Sequence, residues 1–276
     1  MNKLNLYLGT FNNENTKTSY STDITSMLNY VNKPEEEITL ADLLEWKNCM
    51  TNEGLSSATI ARRIGSVKRY YDFLCDIDVL ESNPTKKLKS PRITNKVEPT
   101  LTSEDVNMML NAVGCTANGV RTKAIMATLA STGMRVSELI SIKVDDFNGN
   151  DVNILGKGGK RRMVHINDKT MEYINHYMTI RNNCIDNLFV SNNGTPMTKE
   201  GINKSLKLAA KKAGVDKNVH NHSFRHLWAT SMLDHNVPLE RIQLCMGHSD
   251  ISVTTRYAKI RDEQKVVRDT MDIEVF

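Results

Sequence analysis

Five side chains that could act on a phosphodiester occur in the C-terminal part of this 276-residue chain: Arg135, His222, Arg225, His248 and Tyr257. A guanidinium suits a phosphate because its planar fork of donors matches the phosphate oxygens. Such fixed cations stabilise the charge that develops on the non-bridging oxygens during cleavage. A tyrosine hydroxyl can be the nucleophile, but its ordinary pKa of about 10 requires a neighbour that accepts the proton. The set therefore indicates phosphodiester chemistry.

Each of these residues also has a purely structural interpretation. Arg135 could form an ion pair with Glu138, three residues further along a helix. Gly247 could simply end the helix that we predict from Pro238 to Met246. Tyr257 could be a core tyrosine on a helix that begins near Ser252. The order and spacing of all five residues together favour an active site.

The motifs around these residues resemble those of a known enzyme family. The segments TGMRVSEL (132–139), HSFR (222–225) and GHSDISVTTRY (247–257) resemble the active site of the tyrosine recombinases, of phage integrase and Xer type. The resemblance covers nearly the whole chain, because the preceding segment looks like the family's core-binding domain. It implies a mainly α fold of the DNA breaking-rejoining type. A helical, SAM-like DNA-binding domain (1–90) and a linker (91–100) would precede a helical catalytic domain with a small antiparallel sheet (101–276).

The resemblance also implies a role for each site residue. Arg135, Arg225 and His248 would bind the scissile phosphate, and Tyr257 would form a covalent 3′-phosphotyrosine. His222 would accept or delocalise the tyrosine proton.

A lysine in a predicted hairpin is the candidate general acid. Strands over 151–155 and 161–166 are joined by the turn GKGGK (156–160). In the family, a lysine in such a hairpin protonates the leaving 5′-oxygen, and Lys157 matches that position best. Lys160 is the competitor and could instead bind DNA nonspecifically.

Helical patterns precede the catalytic motifs. Thr39 and Asp42 form a predicted capping box that opens a helix to about Glu53. A second helix begins at Ser57, and its apolar stripe predicts a core face. The Asn-rich residues 1–15 are weakly patterned, so we expect a poorly ordered lead there.

Basic residues mark two candidate DNA contacts. Residues 1–90 contain 11 Lys and Arg against 12 Asp and Glu, whereas the remainder contains 25 against 20. The helix that begins at Ser57 nevertheless has a basic face, and a run of basic residues leads into the linker. These surfaces could be merely solvated, but we predict that they contact DNA phosphates. Their residues are Arg62, Arg63, Lys68, Arg69, Lys86, Lys87, Lys89 and Arg92.

Composition excludes several other protein classes. The five cysteines are scattered, which argues against a disulfide framework and a zinc ribbon. His222 and His226 have metal-ligand spacing, but no third ligand matches, so we predict no metal site and no cofactor. No secretory signal or membrane span is apparent in the sequence, and we expect a cytoplasmic, nucleoid-associated protein.

We therefore predict a metal- and ATP-independent site-specific recombinase that acts through a Holliday junction. The resemblance implies paired inverted core sites in double-stranded DNA as partner. It also implies a homotetramer on two duplexes, or a dimer at each site. Residues 258–276 would dock on a neighbouring protomer or on their own domain. The lack of an added N-terminal arm domain favours a compact Xer-like or mobile-element enzyme. The alternatives are a type IB topoisomerase-like nicking-closing enzyme and a non-catalytic DNA-binding paralogue.

Overall fold

The computed structural model describes residues 3–92, 99–156, 159, 161–181, 185–247, 254, 255, 258 and 262. The chain divides into two compact units, residues 1–96 and 97–276. Both units are mainly helical and the second carries a small antiparallel sheet, so the predicted fold class is confirmed. In the described ranges, no helix is both long enough and apolar enough to cross a bilayer.

In the N-terminal unit, the other described helices pack against the helix that the sequence predicts from Ser57 onward. The α-helices described in this unit are α1 (Lys3–Gly9), α2 (Glu14–Val31), α3 (Leu40–Asn52) and α4 (Ser57–Asp76). The predicted capping box of α3 is present, since Thr39 N donates to Asp42 Oδ2 at 2.9 Å. The apolar stripe of α4 is buried, as predicted, and α4 packs against the other three helices.

The prediction that residues 1–15 form a poorly ordered lead is wrong. Residues 3–9 form α1, and α2 begins at Glu14 behind the cap residue Asn13. The buried Tyr7 ring anchors α1, with its centroid 5.1 to 5.4 Å from the rings of Phe11, Tyr70 and Phe73. A few aromatic residues bury as much apolar surface as a longer aliphatic stripe, so the weak periodicity concealed this helix.

The C-terminal unit surrounds one nearly enclosed helix. Its described helices are α5 (Ser103–Ala112), α6 (Ala117–Thr132), α7 (Val136–Ser141), α8 (Asp168–Ile180), α9 (Lys199–Lys212), α10 (Asn221–Asp234) and α11 (Leu239–Met246). Helix α6 packs against α5, α8, α9 and α10, and most of its residues are buried.

The small sheet has the order β1 (Phe147–Asn148), β2 (Asp151–Leu155), β3 (Arg161–His165), with antiparallel neighbours. β1 is too short to give an alternating pattern, and the sequence did not reveal it. Arg162 pairs with the buried Ile154, and paired residues of an antiparallel ladder share a face. The register therefore turns Arg162 toward the protein interior, whereas Arg161 and Met163 face outward.

A glycine shapes the junction between α6 and α7. Gly133 ends α6 with a φ of 60°, in the left-handed region that favours glycine. A Cβ atom at this position would lie 2.7 Å from the Trp228 ring. Gly133 thus allows both the tight turn and the close approach of α10, and it places Arg135 at the start of α7.

Candidate active site

Two of the predicted phosphate-binding arginines converge on the C-terminus of α11. Arg135, at the N-cap of α7, donates from Nη2 to the Gly247 carbonyl at 3.0 Å. Arg225, inside α10, donates from Nη2 to the Met246 carbonyl and from Nη1 to the Gly133 carbonyl, both at 2.7 Å. The structure therefore brings together two side chains that lie 90 residues apart in the sequence.

A third arginine binds the preceding carbonyl of the same helix. Arg162 Nε on β3 donates to the Cys245 carbonyl at 3.0 Å. Three guanidinium groups thus satisfy three consecutive carbonyls, and we call this arrangement the arginine clamp (Arg135, Arg162 and Arg225 on residues 245–247). The last carbonyls of a helix have no intrahelical donors and carry partial negative charge, so three cations stabilise this terminus.

A buried carboxylate lies beneath the clamp. Glu138 is 2% exposed and accepts from the Arg135 backbone N at 2.8 Å and from Arg135 Nη1 at 3.0 Å. Arg162 donates a parallel pair to the same carboxylate, at 2.8 and 2.9 Å. Burial acts to raise the pKa of Glu138, but the hydrogen bonds and charges of the two arginines outweigh it and lower that pKa. Glu138 therefore stays ionised and holds both guanidinium groups.

His222 lies at the exposed start of α10. Although the residue is exposed, nearby protein atoms partly desolvate its ring, and this is the chief cause of its lowered pKa. Positive charge from His220, Lys199, Arg225 and Arg135 adds to this effect. A neutral imidazole can accept a proton, so the electrostatic environment fits the role that the resemblance implies.

Four predicted residues lie outside the described residues: Lys157, Lys160, His248 and Tyr257. His248 directly follows Gly247, the last residue of the arginine clamp. The two lysines flank the described Gly159 in the β2–β3 connection. Among the described residues, no cluster of three His, Cys, Asp or Glu side chains could hold a metal ion.

The predicted basic face of α4 is partly engaged inside its own unit. Arg62 forms an ion pair with the fully buried Asp23 of α2, although 53% of the Arg62 side chain is exposed. Arg69 donates to the Tyr20 hydroxyl. With Asn13, Arg62 and Arg69 line a polar groove of about 540 Å³ between α2 and α4. Of the other basic candidates, Arg63 and Lys68 on α4 are half-buried, and Lys86, Lys87, Lys89 and Arg92 are exposed.

Sequence reasoning missed two residues of the site. The sequence marks Glu138 only as a possible ion-pair partner of Arg135, yet it is buried and binds two arginines. No motif in the sequence points to Arg162. The alternation of β3 does place Arg162 on the same face as Val164, opposite the outward Arg161, and this was the available signal.

Comparison with known proteins identifies two family models. The model described as "Phage integrase family" matches residues 99–264, and "Phage integrase, N-terminal SAM-like domain" matches residues 7–76. A tyrosine recombinase XerD of Oceanobacillus iheyensis is 32% identical over 261 residues, which are 90% of this chain and 88% of that protein. A XerD of Staphylococcus haemolyticus is 30% identical, covering 91% and 90% of the two chains.

Solved structures of recombinases are similar to this chain. The crystal structure of XerA recombinase is 25% identical, covers 96% of both chains and gives a TM-score of 0.55. XerH bound to a palindromic difH substrate gives 0.76 at 20% identity, over 93% of this chain and 79% of that one. A lambda integrase dimer bound to a COC′ core site gives 0.75 at 17% identity, over 92% and 75%. The last two likenesses concern the fold alone.

Proposed function

Because this chain belongs to the phage integrase family of tyrosine recombinases, we propose that it cleaves and rejoins DNA at specific sites through a 3′-phosphotyrosine and a Holliday junction. The single observation that carries the proposal is the arginine clamp. It gathers Arg135 and Arg225 at the carbonyls of Gly247 and Met246, the two residues that precede His248. A scissile phosphate at this position would meet two guanidinium groups and an imidazole.

The proposed reaction exchanges one phosphodiester for another. The Tyr257 hydroxyl oxygen attacks phosphorus, and the bond from phosphorus to the 5′-oxygen breaks. The released 5′-hydroxyl of the partner strand then attacks the phosphotyrosine and frees Tyr257. Bond energy is retained throughout, so the cycle needs neither ATP nor a metal ion.

Two proton transfers accompany each cleavage. His222 accepts the tyrosine proton, and its lowered pKa keeps the ring neutral near pH 7. Lys157 donates a proton to the leaving 5′-oxygen. General acid assistance of this kind contributes about 10²–10⁴-fold. Arg135 and Arg225 stabilise the charge on the non-bridging oxygens, for which each donor contributes about 10²–10³-fold.

The N-terminal unit serves DNA binding in this proposal. Residues 1–90 form the core-binding domain, 91–100 the linker, and 101–276 the catalytic domain. The basic face of α4 and the run from Lys86 to Arg92 contact phosphates, with Arg62 and Arg69 at the groove beside the α2 N-terminus.

Assembly follows from the need to exchange strands between two duplexes. We propose a dimer at each site and a homotetramer on two duplexes, with inverted core sequences that mirror the protein's two-fold symmetry. Residues 258–276 dock on a neighbouring protomer. The solved lambda integrase relative is a dimer on its core site, which supports the first of these steps.

The test is covalent capture. Target sites are first selected from a randomised duplex pool by retention on the protein, and one selected site is cloned into a supercoiled plasmid. Wild-type protein should form an adduct that survives denaturation, and plasmids carrying two sites should recombine. Tyr257→Phe is the matched control, because it removes only the reacting oxygen. It should yield no adduct while site affinity stays within about threefold.

Each alternative outcome would indicate a different function for this protein. Relaxation of plasmids without a site, and without recombinants, would indicate a nicking-closing enzyme. Site binding without an adduct would indicate a DNA-binding paralogue. An adduct with Tyr257→Phe would reject the nucleophile assignment.

A further inference from the structure

Arg162 donates a hydrogen bond within the protein from each of its three guanidinium nitrogens. Its Nε donates to the Cys245 carbonyl at 3.0 Å, and its two terminal nitrogens donate to the two Glu138 oxygens at 2.8 and 2.9 Å. Only 16% of its side chain is exposed. These three bonds hold the guanidinium against Glu138 and the end of α11, so its function is to link groups inside the site.

These contacts place Arg162 between three elements that carry proposed catalytic groups. It extends from β3, whose preceding turn contains Lys157. It binds the end of α11, directly before His248. It also shares Glu138 with Arg135 of α7, and this carboxylate accepts from both the backbone and the side chain of Arg135.

The geometry of a parallel pair explains why an arginine occupies this position. Two parallel N–H···O bonds fix both the distance and the plane of the carboxylate, which a single ammonium cannot do. The Cys245 contact fixes the guanidinium itself. Glu138 is therefore held in one orientation, and that orientation determines where Arg135 lies.

We propose that Arg162 is a positioning residue for the strand-cleavage reaction: it orients Glu138 so that Arg135 is held in place for the scissile phosphate. The inference deepens the proposed function and rests on it. Arg162 does not contact DNA. Its loss should therefore slow cleavage at saturating DNA without weakening the binding of the site.

The test is single-turnover cleavage of the selected site, nicked close to the scissile phosphate so that the adduct is trapped. Arg162→Met should cleave about 10²-fold more slowly, because a displacement of about 1 Å has effects of this size. Arg162→Lys keeps the charge but loses the fork, and should be slower by about tenfold. Site affinity should change by less than about threefold for both. Arg161→Met, which removes the same charge from the outward face of β3, should cleave at the wild-type rate.

A double variant separates positioning from general damage to the fold. If Arg162 acts through Arg135, adding Arg162→Met to Arg135→Ala should cost less than about fivefold more. Independent effects would instead add as free energies, and the full loss of about 10²-fold would recur. Melting curves accompany every variant, and Arg162→Lys alone is decisive if the Met variant does not fold.

Three results would overturn the inference. They are wild-type cleavage by Arg162→Lys, full additivity with Arg135→Ala, and loss of folding in the Lys variant itself. If wild-type protein forms no adduct, the proposed function fails and this inference fails with it. If the wild type forms the adduct and the Arg162 variants cleave as fast, this inference is rejected while the proposed function stands.

Discussion

Both units of this protein bury a carboxylate beneath arginines, but they bond it in different ways. In the N-terminal unit, Asp23 Oδ2 accepts from Arg62 and from Ser66 Oγ, the latter at 2.7 Å. Among the described residues, Asp23 Oδ1 has no hydrogen bond, and Arg63 Nε is 4.0 Å away from it. In the C-terminal unit, both oxygens of Glu138 are fully engaged by Arg135 and Arg162.

The difference fits a division between binding and catalysis. Arg62 keeps 53% of its side chain exposed while one of its nitrogens is bonded to the buried Asp23, so the rest of its guanidinium group can meet a phosphate. Arg225 is 4% exposed, and the whole clamp is tied to the α11 carbonyls. Contact with a DNA backbone tolerates adjustable side chains, whereas transition-state stabilisation requires fixed ones.

Apart from the loss of the nucleophile, the largest effect expected in the C-terminal unit is the loss of the general acid. Lys157→Ala should cleave ordinary DNA about 10²–10⁴-fold more slowly. A substrate with sulfur in place of the bridging 5′-oxygen needs no proton, so this variant should cleave it at nearly the wild-type rate. The measurement is single-turnover cleavage of both substrates. If the sulfur substrate rescues Lys160→Ala instead, Lys160 is the general acid. If it rescues neither variant, the hairpin only contacts DNA.

Removing one arginine from each unit tests the comparison directly. Arg225→Ala should lower the cleavage rate at saturating DNA about 10²–10³-fold, because it deletes a fixed donor at the phosphate. Arg135→Ala should behave alike. Arg62→Ala should leave that rate within about threefold, because it affects binding and not the transition state. A large loss of rate in Arg62→Ala, with site affinity unchanged, would contradict the division.

The two carboxylates should also differ in their contribution to stability. Glu138→Gln removes the buried anion that holds two half-buried guanidinium groups and should cost about 3–5 kcal/mol. Asp23→Asn should cost about 1–3 kcal/mol, because the exposed Arg62 can turn to water. The two tryptophans, Trp46 and Trp228, lie in different units, so single-tryptophan backgrounds report the denaturant unfolding of each unit separately.

The pH dependence of the Glu138 effect has a definite sign. The pKa of Glu138 is lowered in the folded protein, chiefly by the hydrogen bonds and charges of Arg162 and Arg135, which act against burial. Its contribution is therefore fully present above the unfolded pKa of about 4.3, and it is lost as pH falls through the folded pKa. The difference between wild type and Glu138→Gln should be constant from pH 7 to about pH 5 and should shrink below about pH 4. A difference that grows toward acid would contradict this assignment.

The sequence revealed the helices and the family because their signals are local. The capping box of Thr39 and the apolar stripe of α4 each lie within one element, and the structure confirms both predictions. The membership of the phage integrase family is confirmed. The clamp could not be predicted, because the Arg162 and Arg225 contacts with residues 245 and 246 depend on how β3, α10 and α11 pack. The prediction of a poorly ordered segment over residues 1–15 failed for a related reason. The Tyr7 ring, which holds α1 in place, packs against Tyr70, which lies far away in the sequence.

The smallest expected effect concerns the basic run that precedes the linker. Lys86, Lys87 and Lys89 are exposed, and Lys87 and Lys89 lie on either side of the buried Leu88, which fixes this segment to the N-terminal unit. Each lysine that neutralises a phosphate releases about one counterion, so the logarithm of the affinity falls linearly with the logarithm of the salt concentration. Replacing all three with glutamine should flatten that slope by about two to three units. Single-turnover cleavage at saturating DNA should remain within about threefold of wild type, because no clamp residue changes.

Exposed Lys169, at the start of α8 in the C-terminal unit, is not among the proposed contacts, and Lys169→Gln is the matched control for a lost surface charge. An unchanged slope in the triple variant would place the run in solvent and confine the phosphate contacts of the N-terminal unit to α4.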